Sequence, residues 1–378
     1  MAKILKLNKI SKVANSEFPA SYTLTDECEQ PDGIILRSFK MHDYPLADSL
    51  LCVARAGAGV NNIPLDKCAD KGVVVFNTPG ANSNAVKELA LCMLFMCGRR
   101  IAPALTWSQG LKGTAEIGKQ VEDGKKAFVG GEIFGKTLGI AGLGAIGSKL
   151  AKAAFALGMN VIGYDPHITK ERIDAINPDM RIVSLEELYK ECDYISLHVP
   201  FNDNTKHMIN AETIAMMKDG VNIINCARGE LVDNAAIVEA VKSGKVNRYV
   251  TDFPNEEVLG IDGIVATPHL GASTPEAEDN CAYMAAKQMV DFIENGNIVN
   301  SVNYPKLQKE RTKSRRLCVC TKDVEDIKAL LAKHCVCVDD MAEAHRGVYG
   351  YAVVDVDCDC TADKLSGVEG ILKARFIG

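Results

Sequence analysis

Residues 137–165, TLGIAGLGAIGSKLAKAAFALGMNVIGYD, decide the fold of this chain. An apolar strand enters the glycine-rich turn GLGAIG, which carries Gly142, Gly144 and Gly147, and a helix with an apolar face follows. A second apolar strand then ends at Asp165. This order predicts a strand–helix–strand unit of a parallel, doubly wound sheet.

The spacing of the three glycines is typical of a turn that holds a dinucleotide. Gly142 permits a tight turn, Gly144 lets the main chain approach a pyrophosphate, and Gly147 lets the helix pack closely on the strand. The helix N-terminus then faces the phosphates. Asp165 lies about 20 residues beyond the glycines, where an acid accepts hydrogen bonds from the ribose hydroxyls and repels a 2′-phosphate. The sequence therefore predicts an NAD site.

Apolar strands continue on both sides of this unit and alternate with helical stretches. Such alternation predicts α/β domains with parallel sheets. The glycine- and lysine-rich segment 110–131 is expected to be a surface excursion, and the basic segment 306–316 a linker. The last stretch reads strand, helix, strand, strand, short helix, strand, which predicts a ferredoxin-like module. Strands are predicted at residues 4–7, 33–37, 51–56, 73–76, 194–199, 221–225, 249–252 and 263–267, and long helices at 85–101 and 276–295.

The composition is that of a soluble protein with several domains. The 378 residues are 47% hydrophobic and 24% charged, and the net charge of −6 argues against nucleic-acid binding. The longest apolar run, residues 89–97, is too short to span a membrane. The opening MAKILKLNKI has no apolar core, so no secretory signal is expected. The fourteen cysteines are then expected to be reduced thiols in the cytoplasm, and no metal site is expected.

Three polar side chains follow predicted strands of the second half. Arg228 follows the strand 221–225, Glu257 follows the strand that ends near Asp252, and His269 follows the strand 263–267. The carboxyl ends of parallel strands form the edge at which such sheets bind ligands. There Arg228 can bind a carboxylate through two parallel hydrogen bonds, His269 can accept a hydroxyl proton, and Glu257 can stabilise the charged imidazole. Each residue alone would be read as a surface group, whereas together they indicate a dehydrogenase.

The segments GLGAIG…YDP, NCARGELVD and PHLGAST resemble the D-isomer-specific 2-hydroxyacid dehydrogenases, and the likeness covers residues 34–303. The resemblance implies that Arg228, Glu257 and His269 are the catalytic trio. Because DFPNEE is one residue shorter than expected before its acids, Glu256 is an alternative to Glu257. The family's pyrophosphate contacts correspond to Ala145 and Ile146, and its nicotinamide contacts to Cys226, Ala227 and Asp252.

The resemblance also implies a division into domains. A flavodoxin-like substrate domain would comprise residues 1–96 and 285–306, with a Rossmann NAD-binding domain, residues 97–284, inserted into it. A linker, residues 307–316, would lead to a small α+β domain, residues 317–378, that resembles an ACT domain. In TKDVEDI this module lacks residues that bind serine in such domains, so an assembly role with weak or absent response to serine is expected.

A phosphorylated substrate needs a further cationic patch. Arg37, Ser38 and Lys40 resemble the family's phosphate-binding loop, Arg55, Ala58 and Gly59 resemble its carboxylate-binding loop, and Asn82 is expected near the ligand. Phe39 replaces a second arginine of some relatives, and either Lys40 or Lys87 can restore that charge.

The resemblance implies NAD-dependent oxidation of D-3-phosphoglycerate to 3-phosphohydroxypyruvate, the first step of serine synthesis, in a homodimer or homotetramer. One alternative is an NADH-dependent reductase of an unphosphorylated 2-oxo acid such as hydroxypyruvate or glyoxylate. Another is a binding protein that senses NAD, although such a protein has no need of a proton acceptor.

Overall fold

The structure is a computed structural model that describes residues 2–334, 336–357 and 365–378. Its contacts divide the chain into two compact units, residues 1–82 with 275–378 (unit 1) and residues 83–274 (unit 2). The strands are β1 (Lys3–Leu7), β2 (Thr23–Thr25), β3 (Gly33–Leu36), β4 (Cys52–Arg55), β5 (Val74–Phe76), β6 (Thr137–Ala141), β7 (Asn160–Tyr164), β8 (Arg181–Ile182), β9 (Tyr194–Leu197), β10 (Val221–Asn225), β11 (Val246–Thr251), β12 (Ile264–Ala266), β13 (Arg315–Lys322), β14 (Met341–Arg346), β15 (Tyr349–Val356) and β16 (Ile371–Ile377). The α-helices are α1 (Leu65–Asp70), α2 (Ser83–Gly98), α3 (Ile101–Gln109), α4 (Ile117–Gly124), α5 (Ala145–Ala156), α6 (Lys170–Ile176), α7 (Leu185–Glu191), α8 (Ala211–Met216), α9 (Asn234–Lys242), α10 (Pro275–Asn295) and α11 (Ile327–Lys333).

Unit 2 is built on a sheet of seven parallel strands in the order β12-β11-β10-β9-β6-β7-β8. The central strands β9 and β10 are buried along their whole length, as expected of parallel strands that helices cover on both faces. From β6 the chain moves first toward one edge of the sheet and then toward the other, which is the doubly wound order of a Rossmann fold. The predicted Rossmann fold is thereby confirmed.

The first sheet of unit 1 has five parallel strands in the order β2-β1-β3-β4-β5. This is the flavodoxin-like order, and it confirms the predicted fold of the substrate domain. Helix α10 packs on this sheet through a buried stripe that includes Ala285, Met289 and Phe292.

Unit 1 also contains an antiparallel sheet of four strands in the order β14-β15-β13-β16. Alternate residues of its central strands serve two different cores. Leu317, Val319, Ala352 and Val354 face a cluster that includes Leu331 of α11. Cys318, Cys320, Tyr351 and Val353 join the core that contains Phe76 and Phe292. The sheet is therefore covered on both faces. Its likeness to an ACT domain stays a prediction, and the predicted second short helix falls partly on residues 358–364, outside the described residues.

The predicted linker 307–316 is wrong at its carboxyl end, because β13 already begins at Arg315. Arg316 is fully buried and forms a bidentate ion pair with Asp355, which is 1% exposed. Its Nε donates to Oδ1 at 2.6 Å and its Nη2 donates to Oδ2 at 2.9 Å. Lys309 also donates to Asp355 at 2.6 Å. The sequence predicts that the basic residues of the segment 306–316 are solvated, but the Asp355 carboxylate, distant in sequence, pairs with two of them.

The segment 110–131, predicted to be a surface excursion, is exposed at most of its positions. It forms α4 and a short 3₁₀ helix, Lys125–Phe128, whose Phe128 ring lies 5.2 Å from that of Trp107. The compact units break after Asn82 and after Thr274, so that the whole of α2 belongs to unit 2. The predicted domain boundaries at residues 96 and 285 stay predictions.

Within the described ranges, no single helix is both long and apolar enough to cross a membrane. Helices α2 and α3 meet the criterion of length and composition only when they are taken together, and the angle between them is 77°.

The thiols of the C-terminal module fall into two groups. Cys318 and Cys320 are buried, as is usual for reduced cysteines, which behave as small apolar side chains, whereas Cys337 is exposed. The other cysteines of this module, Cys335, Cys358 and Cys360, lie outside the described residues.

Candidate active site

The turn between β6 and α5 has the geometry that its glycines predict. Gly142 has φ +94°, and a Cβ there would lie 2.7 Å from the carbonyl oxygen of His198. A Cβ on Gly147 would lie 2.0 Å from the carbonyl oxygen of Gly142, so the helix can pack this closely only with glycine. Gly144 differs from both, because a Cβ added there would have no neighbouring atom within 4 Å. The main chain at Gly144 is thus open to a ligand.

Asp165 lies beside this turn. It follows β7, and its Oδ2 accepts a hydrogen bond from the N–H of Leu143 at 2.9 Å, while Oδ1 accepts from the N–H of His167 at 2.9 Å. Ala145 and Ile146 form the first turn of α5, where main-chain N–H groups lack partners within the helix. Open main chain, a helix N-terminus and a carboxylate fit the pyrophosphate and ribose of NAD.

A histidine that the sequence reasoning missed lies at the end of the adjacent strand β9. The Nε2 of His198 lies 2.8 Å from Oγ of Ser196, and its Nδ1 is shielded from solvent without a hydrogen-bond partner among the described residues. Burial lowers the pKa of His198 to about 4, so the ring is neutral at physiological pH. A polar pair at the end of an otherwise apolar strand was the signal in the sequence.

The loop after β10 carries Arg228 and is held by the last residue of that strand. The buried side chain of Asn225 donates to the carbonyl oxygen of Arg228 at 2.8 Å and accepts from the N–H of Ala227 at 3.0 Å. Arg228 is exposed, and its Nη1 donates to the carbonyl oxygen of Ala227 at 2.6 Å. Burial raises the pKa of the Cys226 thiol to about 12, so this thiol is neutral at physiological pH, and its contact with the cofactor stays a prediction.

Asp252 organises the loop that carries His269. This carboxylate is 1% exposed and accepts from Oγ1 of Thr267 at 2.6 Å and from the N–H groups of Leu270 and Gly271, both at 2.7 Å. His269 has φ +57°, a conformation that is uncommon for residues other than glycine. The bonds to Asp252 on both sides of His269 stabilise that conformation. Sequence reasoning assigned Asp252 to the nicotinamide and missed this positioning role.

The predicted contact between Glu257 and His269 is not formed, since no hydrogen bond or ion pair between these two described residues is present. Instead the ring of Phe253 lies 5.1 Å from the imidazole of His269. Asn255 Oδ1 accepts from the N–H groups of Glu257 and Val258, and the side chains of Glu256 and Glu257 are both exposed. The turn at Asn255 therefore leaves the carboxylates in solvent, and the role of Glu257 stays a prediction.

In unit 1, the structure brings together the two arginines predicted to bind substrate. Arg37 and Arg55 lie at the carboxyl ends of the neighbouring strands β3 and β4, and Nε of Arg55 donates to the carbonyl oxygen of Arg37 at 3.1 Å. A Cβ on Gly57 would lie 2.3 Å from Nη1 of Arg55, so the guanidinium rests against bare main chain. Arg37 is also ion-paired with Glu278 of α10, an acid that sequence reasoning did not single out.

The other predicted substrate residues have fewer contacts. Ser38, Lys40 and Ala58 are exposed, and Gly59 and Asn82 are half-buried. Asn8 Nδ2 donates weakly to Ser38 at 3.5 Å, and the carbonyl oxygen of Ala58 accepts from Asn77 at 2.7 Å. Lys87, the alternative cation, is 19% exposed and lies 3.4 Å from Glu88, both in unit 2.

Comparison with known proteins places these features among dehydrogenases. The sequence profile of the family described as "D-isomer specific 2-hydroxyacid dehydrogenase, NAD binding domain" matches residues 92–271. A D-3-phosphoglycerate dehydrogenase of Methanocaldococcus jannaschii is 39% identical over 271 residues, which are 70% of this chain and 50% of that protein. A hydroxypyruvate reductase of Thermotoga maritima is 40% identical over 286 residues, which are 72% of this chain and 89% of that protein.

Among solved structures, the NAD⁺-bound 3-phosphoglycerate dehydrogenase of Entamoeba histolytica superposes with a TM-score of 0.63 at 30% identity. The match covers 80% of this chain and 98% of that one. The chain spans about half the length of the D-3-phosphoglycerate dehydrogenases that it matches in sequence.

Proposed function

The chain belongs to the D-isomer-specific 2-hydroxyacid dehydrogenases, and from that premise we propose that it oxidises D-3-phosphoglycerate to 3-phosphohydroxypyruvate with NAD, the first step of serine synthesis. The observation that carries the choice of substrate is the pair of guanidinium groups, Arg37 and Arg55, at the carboxyl edge of the five-stranded sheet. A substrate with a phosphate at one end and a carboxylate at the other needs more than one cation, and guanidinium groups suit both anions.

The reaction follows from the chemistry of the residues named above. Arg228 binds the substrate carboxylate and polarises the forming carbonyl group. His269 accepts the proton of the 2-hydroxyl group on an imidazole nitrogen as the C2–H bond breaks. NAD held at the turn of Gly142, Gly144 and Gly147 and by Asp165 would supply the hydride acceptor for C2, and the products would be the 2-oxo acid, NADH and a proton. Glu257, with Glu256 as the alternative, stabilises the imidazolium ion.

A second candidate is the reduction of hydroxypyruvate or another unphosphorylated 2-oxo acid. Two observations favour it: the ion pair between Arg37 and Glu278, which occupies the cation expected to bind phosphate, and the similarity to the Thermotoga maritima hydroxypyruvate reductase over 89% of that protein.

NADH oxidation with phosphohydroxypyruvate, hydroxypyruvate, glyoxylate and 2-oxoglutarate, repeated with NADPH, separates these candidates. We expect the highest kcat/KM with phosphohydroxypyruvate and NADH. Equal or higher values with unphosphorylated acids would transfer the proposal to the second candidate. His269→Gln should abolish turnover and leave NADH binding intact, whereas His345→Gln, at an exposed position on β14, serves as the matched control.

We also infer that the chain forms a homodimer or homotetramer through an apolar arm, residues 95–134. Large apolar side chains that are exposed concentrate there, and such patches mark interfaces. They are Phe95, Ile101, Leu105, Ile117, Val121, Val129 and Phe134, with Val129 75% and Phe134 73% exposed. Sedimentation of Leu105→Glu should show smaller particles than the wild-type protein, and an unchanged size would exclude the arm as the interface.

The location that we propose is the cytoplasm. Fourteen cysteines in 378 residues suit a reducing compartment.

A further inference from the structure

The guanidinium of Arg37 is shared with an acid of its own unit. Nη1 of Arg37 is ion-paired with Oε1 of Glu278, which lies in the first turn of α10. The two side chains are 34% and 45% exposed, so the pair lies in contact with solvent and is accessible to a dissolved anion.

Glu278 is not needed to hold the loop at Arg37, because other residues fix its main chain. Asn8 Oδ1 accepts from the N–H groups of Arg37 and Phe39, at 3.4 and 2.9 Å. The carbonyl oxygen of Arg37 accepts from Nε of Arg55 at 3.1 Å and from Nδ2 of Asn62 at 3.2 Å. Glu278 is therefore paired with the guanidinium of Arg37, whereas the main chain of the loop is held by Asn8, Arg55 and Asn62.

From this arrangement we propose that Glu278 is a specificity-determining residue, which competes with the phosphate group of the substrate for Arg37. The proposal rests on the proposed function, since it takes Arg37 as the phosphate-binding cation. A phosphate dianion has to displace the carboxylate and remain close to its negative charge. Glu278 thus weakens the preference for phosphorylated over unphosphorylated acids without touching the reacting atoms.

The expected effect is modest because the pair is exposed. An ion pair between exposed side chains changes an equilibrium constant, here that of substrate binding, by no more than about five-fold. Glutamine at position 278 keeps the size and the hydrogen-bonding capacity of the side chain and removes only its charge. We therefore expect a two- to five-fold change of KM, on the order set by such pairs, and no change of kcat.

Glu278→Gln and Glu276→Gln form a matched pair of variants. Both acids are exposed and lie in the first turn of α10, but only Glu278 is paired with Arg37. Glu278→Gln should lower the KM for phosphohydroxypyruvate about two- to five-fold and leave the KM for hydroxypyruvate unchanged. Glu276→Gln should alter neither. In the Arg37→Ala background, Glu278→Gln should lose its effect, and high salt should reduce the effect in the wild-type background.

The outcomes distinguish this proposal from the proposed function. If the wild-type protein reduces only unphosphorylated acids but Glu278→Gln gains activity with phosphohydroxypyruvate, the role of Glu278 stands and the proposed function fails. If the wild-type protein prefers phosphohydroxypyruvate and Glu278→Gln leaves that preference unchanged or lowers it, the role of Glu278 is wrong and the proposed function stands. No activity with phosphohydroxypyruvate in either protein overturns both.

Discussion

Alanine at Gly147 and alanine at Gly144 should affect this protein in opposite ways, although both changes add one methyl group to the same turn. At Gly147 the new Cβ would lie 2.0 Å from the carbonyl oxygen of Gly142, far inside the contact distance of about 3.3 Å between carbon and oxygen. The oxygen belongs to the main chain and a Cβ is fixed directly to it, so no flexible side chain can move aside. Overpacking of this kind costs about 1–3 kcal/mol, and we expect about 3 kcal/mol here because helix and strand have to separate.

At Gly144 the same methyl group meets no atom within 4 Å, and φ is −68°, which alanine adopts readily. The free energy of unfolding should therefore change by less than about 1 kcal/mol. The methyl group would fill the space through which the main chain approaches a pyrophosphate. We expect NADH to bind at least about ten-fold more weakly, which corresponds to about 1.4 kcal/mol of binding free energy.

Urea unfolding followed by circular dichroism measures the first effect, and NADH fluorescence titration measures the second. Gly147→Ala should lower the unfolding midpoint, whereas Gly144→Ala should keep the wild-type midpoint and raise the dissociation constant. Wild-type affinity in Gly144→Ala would refute the assignment of this main chain to the pyrophosphate. Wild-type stability in Gly147→Ala would refute the close packing of α5 on β6.

Further predictions concern single buried polar groups. Asp252→Asn keeps one acceptor oxygen for three donors, so we expect a loss of about 2–3 kcal/mol in unfolding free energy and at least a ten-fold lower kcat, measured by urea unfolding and NADH oxidation. Asp355→Asn leaves the buried charge of Arg316 without full compensation and should lower the free energy of unfolding by about 3–5 kcal/mol. Asp357→Asn removes an exposed carboxylate that is paired with Lys313, and it should lower the free energy of unfolding by less than about 1 kcal/mol. Because burial lowers the pKa of His198 to about 4, the unfolded chain binds a proton between about pH 6.5 and pH 4 that the folded chain does not bind. Stability should therefore fall by up to about 3 kcal/mol as the pH drops through this window, and His198→Gln should flatten the dependence measured by urea unfolding.

Features that depend on neighbours in sequence were predictable. The strands and helix around GLGAIG were predicted because apolar strands, glycines and an acid follow one another in one short stretch. The flavodoxin-like and Rossmann strand orders followed from the family resemblance and from regular alternation of strands and helices.

Features that depend on distant partners were not predictable. Arg316 looked like one more solvated cation, because its partner Asp355 lies 39 residues further along the chain. Arg37 looked free to bind phosphate, because nothing in the sequence places Glu278 beside it. The direction of the Glu257 carboxylate depends on a turn at Asn255 that local propensity does not specify.

The buried inner face of the C-terminal antiparallel sheet limits how this chain can be shortened. Cys318, Cys320 and Tyr351 share one core with Phe76 and Phe292, so strands β13 and β15 cover apolar surface of the remainder of unit 1. A chain cut within residues 307–314 would keep both fragments associated, in the manner of a nicked protein, and gel filtration would show one peak. A gene truncated before residue 315 would instead yield a product with an uncovered apolar face, for which inclusion bodies are the expected fate.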